Sequence, residues 1–149
     1  MGLDFAEIAL RLAAAMVAGA LIGVDREIKK RPAGVQTHAL VAIGAALTVL
    51  VVVGTPSAAA DYLGHAVQGI ITGIGFLGAG VIMQYERRVE GLTTAASIWT
   101  AAALGMACGA GYLALAGIGL AAVIFVLVVG GWVERWMERR GMGNEEKQG

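Results

Sequence analysis

Between Arg31 and Glu86 the sequence carries a single charged side chain, Asp61, and between Glu90 and Glu134 it carries none. Stretches so long and so apolar suit a bilayer, whose hydrocarbon core is crossed by about 20 helical residues. In hydrocarbon every backbone amide must find its partner inside the protein, so the stretches are read as helices. Composition agrees, since 58% of the 149 residues are hydrophobic and 15% charged, with a mean hydropathy of +0.74. That is far from the average of soluble domains. The formal net charge is zero, with charges gathered at 25–31, 86–90 and 134–147, which offers no broad basic surface for nucleic acid.

The expected fold class is all-α integral membrane, with five transmembrane helices over residues 5–24, 35–53, 66–85, 92–108 and 112–132. They form one transmembrane domain, residues 1–136, followed by a tail, residues 137–149, that ends in a disordered NEEKQG. Pro32 and Gly34 break the chain before the second span, residues 54–64 with Pro56 and Ser57 form a short loop, and Gly109-Ala110-Gly111 makes a tight reversal. MGLDFAE lacks the basic n-region of a cleaved leader, so the first span is expected to remain. Arg26, Lys29, Lys30 and Arg31 follow the first span, Arg87 and Arg88 the third, and Arg135, Arg139, Arg140 and Lys147 the fifth. Five spans put all three groups on one side, which the positive-inside rule makes cytoplasmic, with the N-terminus outside and the protein multi-pass. Tyr112, Trp132 and Trp136 suit interface anchors.

The third span holds Gly69, Gly73, Gly75, Gly78 and Gly80. Each would weaken a soluble helix by about 1 kcal/mol relative to alanine, whereas between membrane helices glycine lets backbones approach closely. These five are therefore read as helix-packing positions, with Trp99 of the fourth span packing against them. An exposed remainder of this glycine face predicts a homo-oligomer, most simply a two-fold dimer. Gly73-Ile-Gly75-Phe-Leu-Gly78 matches a dinucleotide fingerprint by letter, but no strand precedes it and no acidic residue follows at the required distance.

Shifting the chain by 57 positions lays Gly23-Val24 on Gly80-Val81, Lys30-Arg31 on Arg87-Arg88, Gly34 on Gly91 and Thr37 on Thr94. Spans one–two and three–four thus read as two copies of one hairpin in the same orientation. Thr37 and Thr94, one turn into the second helix of each copy, and Thr93 beside it, can cap backbone donors or reach a ligand.

Chemistry concentrates at the charged turns. Asp25, Glu27 and Glu90, with Glu86, are weak candidates for a cation such as Mg2+, which takes one or two carboxylates and keeps its waters. Arg26, Arg31, Arg87 and Arg88 are interleaved with them, and salt bridges between the two turns compete with any metal. The same arginines could hold an anion or a lipid headgroup against the helix N-termini, with His38 adjacent. Glu7 and Arg11, four apart, are read as an interfacial ion pair. Cys108 stands alone and serves packing. His38 and His65 fall on opposite sides, no Ser/His/Asp set lies within the spans, and an enzyme is not expected.

GALIGVDRE, RPAGVQTHALVAIGAAL, GIGFLGAGVIM and VEGLTTAASIWTAAALGMACGAGYLALA, in that order, resemble the signature of the MgtC/SapB family of bacterial inner-membrane proteins over about residues 10–120. The resemblance implies a five-span domain, adaptation to magnesium limitation and, as in the virulence-associated members, modulation of another membrane complex such as the ATP synthase; no resident cofactor is expected. The alternative is a transporter or channel for a cation, Mg2+ or H+, or a small solute. Asp25 stands where many members have glutamate, and longer members continue into a cytoplasmic domain that this sequence does not include.

Overall fold

A computed structural model describes residues 3–54, 59–85 and 88–140. Five helices dominate: α1 (Phe5–Ile28), α2 (Val35–Val53), α3 (Ala59–Val81), α4 (Leu92–Gly109) and α5 (Leu113–Arg139). All five are long and apolar enough to cross a membrane. The expected loop at Pro56 and Ser57, the charges Glu86 and Arg87, and tail residues 141–149 lie outside the described residues.

Local chemistry sets the boundaries. Asp4 caps α1, its side chain accepting from Phe5 N at 2.8 Å. The α1–α2 turn bends through positive φ at Lys30 (52°) and Ala33 (59°), which flank Pro32. Span two keeps its predicted limits, whereas span three starts earlier and ends earlier than expected. Residues 83–85 leave the helix because they pair as β1 (Met83–Tyr85) with β2 (Arg88–Glu90), antiparallel, with Met83 opposite Glu90. The charged turn is therefore a short hairpin rather than an open loop. It closes at Gly91, whose φ of 91° and close approach to the Val81 carbonyl leave no room for a side chain. The fifth helix runs on past Trp132 and Trp136 without a break to Arg139.

The core is built from α1, α2 and α4. Lipid tails are as apolar as leucine, so association rests on close packing, and small residues permit it. A Cβ at Gly19 would meet the His38 carbonyl, one at Gly23 would meet Val35, one at Gly105 would meet the Ala42 carbonyl, and one at Gly109 would lie 2.6 Å from the Ala46 carbonyl. Ala15, Ala42, Ala46, Cys108 and Ala116 form one buried cluster along this seam.

The glycine expectation for α3 needs correction. Space is open around Gly69, Gly73, Gly75 and Gly80, and only Gly78 of the five faces a neighbour, the Ala95 Cβ at 3.6 Å. Trp99 is 47% exposed and so is not enclosed by the packing assigned to it. The buried face of α3 is the one bearing Ile70, Ile74 and Val81, large side chains that hold its backbone away from α2 and α4. Along the apolar stretch of α3, and likewise of α5, 6% of residues are buried, against 50% in α4. Two spans therefore lie on the outside of a three-helix core.

Candidate functional site

One polar junction is buried where the end of α1 meets the starts of α2 and α4. Arg26 is 4% exposed and donates through Nη2 to Thr94 Oγ1 at 2.7 Å. The Ser97 hydroxyl, one turn on from Thr94, donates to the Thr94 carbonyl at 2.8 Å and lies 2.9 Å from His38 Nε2. His38 is fully buried, with Nδ1 3.0 Å from the Gly34 carbonyl. A neutral ring that donates from Nδ1 must accept at Nε2, so the single Ser97 hydrogen is contested between His38 and the Thr94 carbonyl. The chain Arg26–Thr94–Ser97–His38 thus joins three helices through side chains that the membrane interior would otherwise penalise.

A second arm lies beside it. Asp25 Oδ1 pairs with Lys29 Nζ at 2.9 Å, and Lys29 also donates to the Leu127 carbonyl of α5 at 2.7 Å. A Cβ at Gly131 would meet Lys29 Nζ at 2.9 Å, so glycine there is what lets the ammonium reach the α5 backbone. Asp25 Oδ2 and Arg26 Nε are buried without a hydrogen-bond partner among the described residues, an orphan acceptor next to an orphan donor.

The junction gathers Asp25, Arg26, His38 and Thr94, and leaves other expected residues apart. Glu27 caps α2 instead of pairing across the turns, its Oε2 accepting from Val35 N at 3.1 Å. Arg31 reaches Glu134 of α5 at 3.8 Å, with both side chains more than half exposed. The ion pairs found for Asp25 and Arg31 run within α1 and to α5; the bridges expected between the two repeated turns draw on Glu86, Arg87 and the Arg88 side chain, which lie outside the described residues. Thr37 is exposed and does not cap its helix: α2 and α4 both begin at a glycine, Gly34 and Gly91, which has no side chain to cap with, and at α2 Glu27 supplies the cap from the turn before. That shared start supports the repeat, but only its second threonine is buried. Thr93 is exposed and lines a groove between α4 and α5. Glu90 ends β2 opposite Met83, and the Arg88 side chain lies outside the described residues. Among the described residues no group of three His, Cys, Asp or Glu side chains converges as a metal site would require.

Ser97 and Lys29 were missed as site residues. Thr94-x-x-Ser97 lies in an uncharged span opposite a buried histidine, and that pairing was the available signal. At the other membrane edge Arg11 bonds Glu7 at 2.7 Å, as expected, and also donates from Nη1 to the Gly109 carbonyl at 2.9 Å, closing the end of α4.

The MgtC family profile matches residues 12–136, which enclose the junction whole. The chain belongs to the MgtC family. It is 48% identical over 118 residues to Protein MgtC of Salmonella typhimurium, covering 79% of this chain and 48% of that protein. It is 46% identical over 128 residues to Protein SrpB of Synechococcus elongatus, covering 78% of this chain and 70% of SrpB. Protein MgtC of Brucella abortus is 43% identical over 118 residues, covering 79% of this chain and 48% of that protein. The chain thus spans about half the length of the MgtC proteins it matches. No solved structure matches it. The MgtC profile leaves Glu7 and Arg11 outside and takes in every member of the Arg26–Thr94–Ser97–His38 chain.

Proposed function

We propose that this MgtC-family chain is a non-enzymatic membrane protein that regulates a neighbouring membrane complex during adaptation to scarce magnesium, with the ATP synthase as the complex that the family resemblance brings forward. Its charged end, holding the α1–α2 turn, the hairpin and the end of α5, faces the cytoplasm in this reading. The observation that carries the proposal is the division of labour among the helices. α1, α2 and α4 close on one another backbone to backbone, while α3 and α5 turn almost their whole length outward. With the close packing spent inside the three-helix core, the two uncovered spans leave lateral surface for a second copy or for another membrane protein.

The test places a photocrosslinking residue at Phe76, 82% exposed, or Phe125, 67% exposed, in cells grown in low magnesium. Crosslinks to a subunit of the ATP synthase, with altered ATP-driven proton pumping in inverted vesicles, are expected. Crosslinks to lipid alone together with unchanged pumping would overturn the reading.

Cation transport is the second reading. What favours it is the buried Arg26–Thr94–Ser97–His38 chain, which enters the spans from one edge. Magnesium or proton flux in proteoliposomes, abolished by Arg26→Gln or His38→Asn, would move the assignment to transport.

A further inference from the structure

We propose that the groove between α4 and α5 holds an acyl chain of an anionic phospholipid whose phosphate rests against Lys29 and Arg135. The groove encloses about 320 Å³ and its surface is almost wholly apolar, between Thr93, Ala96 and Thr100 of α4 and Ala122, Val126 and Leu127 of α5. From Thr93 to Thr100 it runs about 10 Å along the helix axis, at 1.5 Å per residue. Small side chains on α4 form one wall, so the trough is wide enough for a hydrocarbon chain lying parallel to the helices.

Its mouth is cationic. Leu127 lines the groove and gives its carbonyl to Lys29. One turn further along the same face is Gly131, and an atom built there would lie 2.9 Å from Lys29 Nζ and 3.7 Å from Arg135 Nη1. Arg135 has no hydrogen bond or ion pair among the described residues, and Lys29 retains a third N–H beyond those given to Asp25 and Leu127. Asp25 balances Lys29, and Glu134 balances Arg31. Arg135 remains without a carboxylate partner among the described residues, a positive charge at the mouth that suits a phospholipid of net negative charge over a zwitterionic one.

The level is also right for a headgroup. Trp132 and Trp136 are exposed on this segment of α5, and Arg140 lies over the Trp136 ring at 4.1 Å. Tryptophan of this kind sits at the headgroup layer, so Gly131 is at phosphate depth and residues 122–127 lie below it in the hydrocarbon.

The test uses the full chain in mild detergent with a phosphatidylglycerol carrying a photoactivatable group midway along one acyl chain. Labelling is expected on peptides containing residues 93–100 and 122–127. Unlabelled phosphatidylglycerol should compete about fivefold better than phosphatidylcholine, the discrimination that one interfacial arginine supplies. Ala96→Phe, at an exposed position that fills the trough, should abolish labelling, and Arg135→Gln, on the surface, should erase the headgroup preference with melting unchanged. Should Ala96→Phe fail to fold, the Arg135→Gln arm decides alone. Label spread evenly over α3 and α5, equal competition by phosphatidylcholine, or a protein helix crosslinked into the groove in place of lipid would each overturn the proposal.

Discussion

Arg26 Nη2 and Thr94 Oγ1, 68 positions apart in the chain, meet at 2.7 Å inside the protein and fix the end of α1 to the start of α4. Thr94→Val leaves a buried guanidinium N–H without its acceptor, which costs about 1–3 kcal/mol. Thermal unfolding in detergent should show that loss, and Thr94→Ser should restore most of it. Thr37→Val, at the equivalent place in the first hairpin, touches an exposed hydroxyl and should change stability by less than about 0.5 kcal/mol.

The glycines divide into two groups with opposite responses. Gly105→Ala drives a methyl into the Ala42 carbonyl and Gly19→Ala into that of His38, so both should lower the melting temperature sharply or prevent folding. Gly73→Ala meets open space and should leave the protomer as stable or slightly more so. Gly73→Leu should act elsewhere, by weakening crosslinked dimers or partner adducts if the α3 face is the contact surface.

Arg11 closes the far end of α4. Arg11→Met removes a charged donor from the Gly109 carbonyl and should cost about 1.5–3 kcal/mol in denaturant unfolding. Glu7→Gln, at a side chain 41% exposed, removes only a surface pair and should cost less than about 1 kcal/mol.

Gly131→Ala places a methyl 2.9 Å from Lys29 Nζ, inside van der Waals contact, and should displace it from the Leu127 carbonyl. Faster amide exchange through the last turns of α5, with α1, α2 and α4 unchanged, is the expected result. Uniformly faster exchange would show that α5 belongs to the same cooperative unit as the core.

Charge spacing made the five spans legible, because the stretches without Lys, Arg, Asp or Glu are as long as a bilayer is thick. The interior was less so. Glycine-rich sequence marks where backbones are able to approach, and the face that does approach is chosen by neighbouring large side chains. In α3 Ile70, Ile74 and Val81 turn inward and leave Gly69 and Gly73 outside, whereas in α4 Gly105 and Gly109 stand on the same face as Ala101 and Ala102. Arg26 was legible as a charge at the end of a span, but its burial was not, since the acceptor is supplied by α4. Lys29 reaches a backbone carbonyl of α5, and a backbone acceptor leaves no mark in the sequence beyond the glycine that admits it.

The two arginines of α1 make that helix a ruler. Arg11 to Arg26 and Thr94 to Gly109 are equal intervals, about 22 Å of helix at 1.5 Å per residue, and the two helices run antiparallel with one bond at each end. An axial slip of either helix would have to break both bonds together, and a one-residue deletion between them in one helix alone would leave one of them out of register. The protein can meet a thinner or thicker bilayer by tilting as a unit or by letting α3 and α5 swing, while the depth at which its charged edge sits is held to a fixed length.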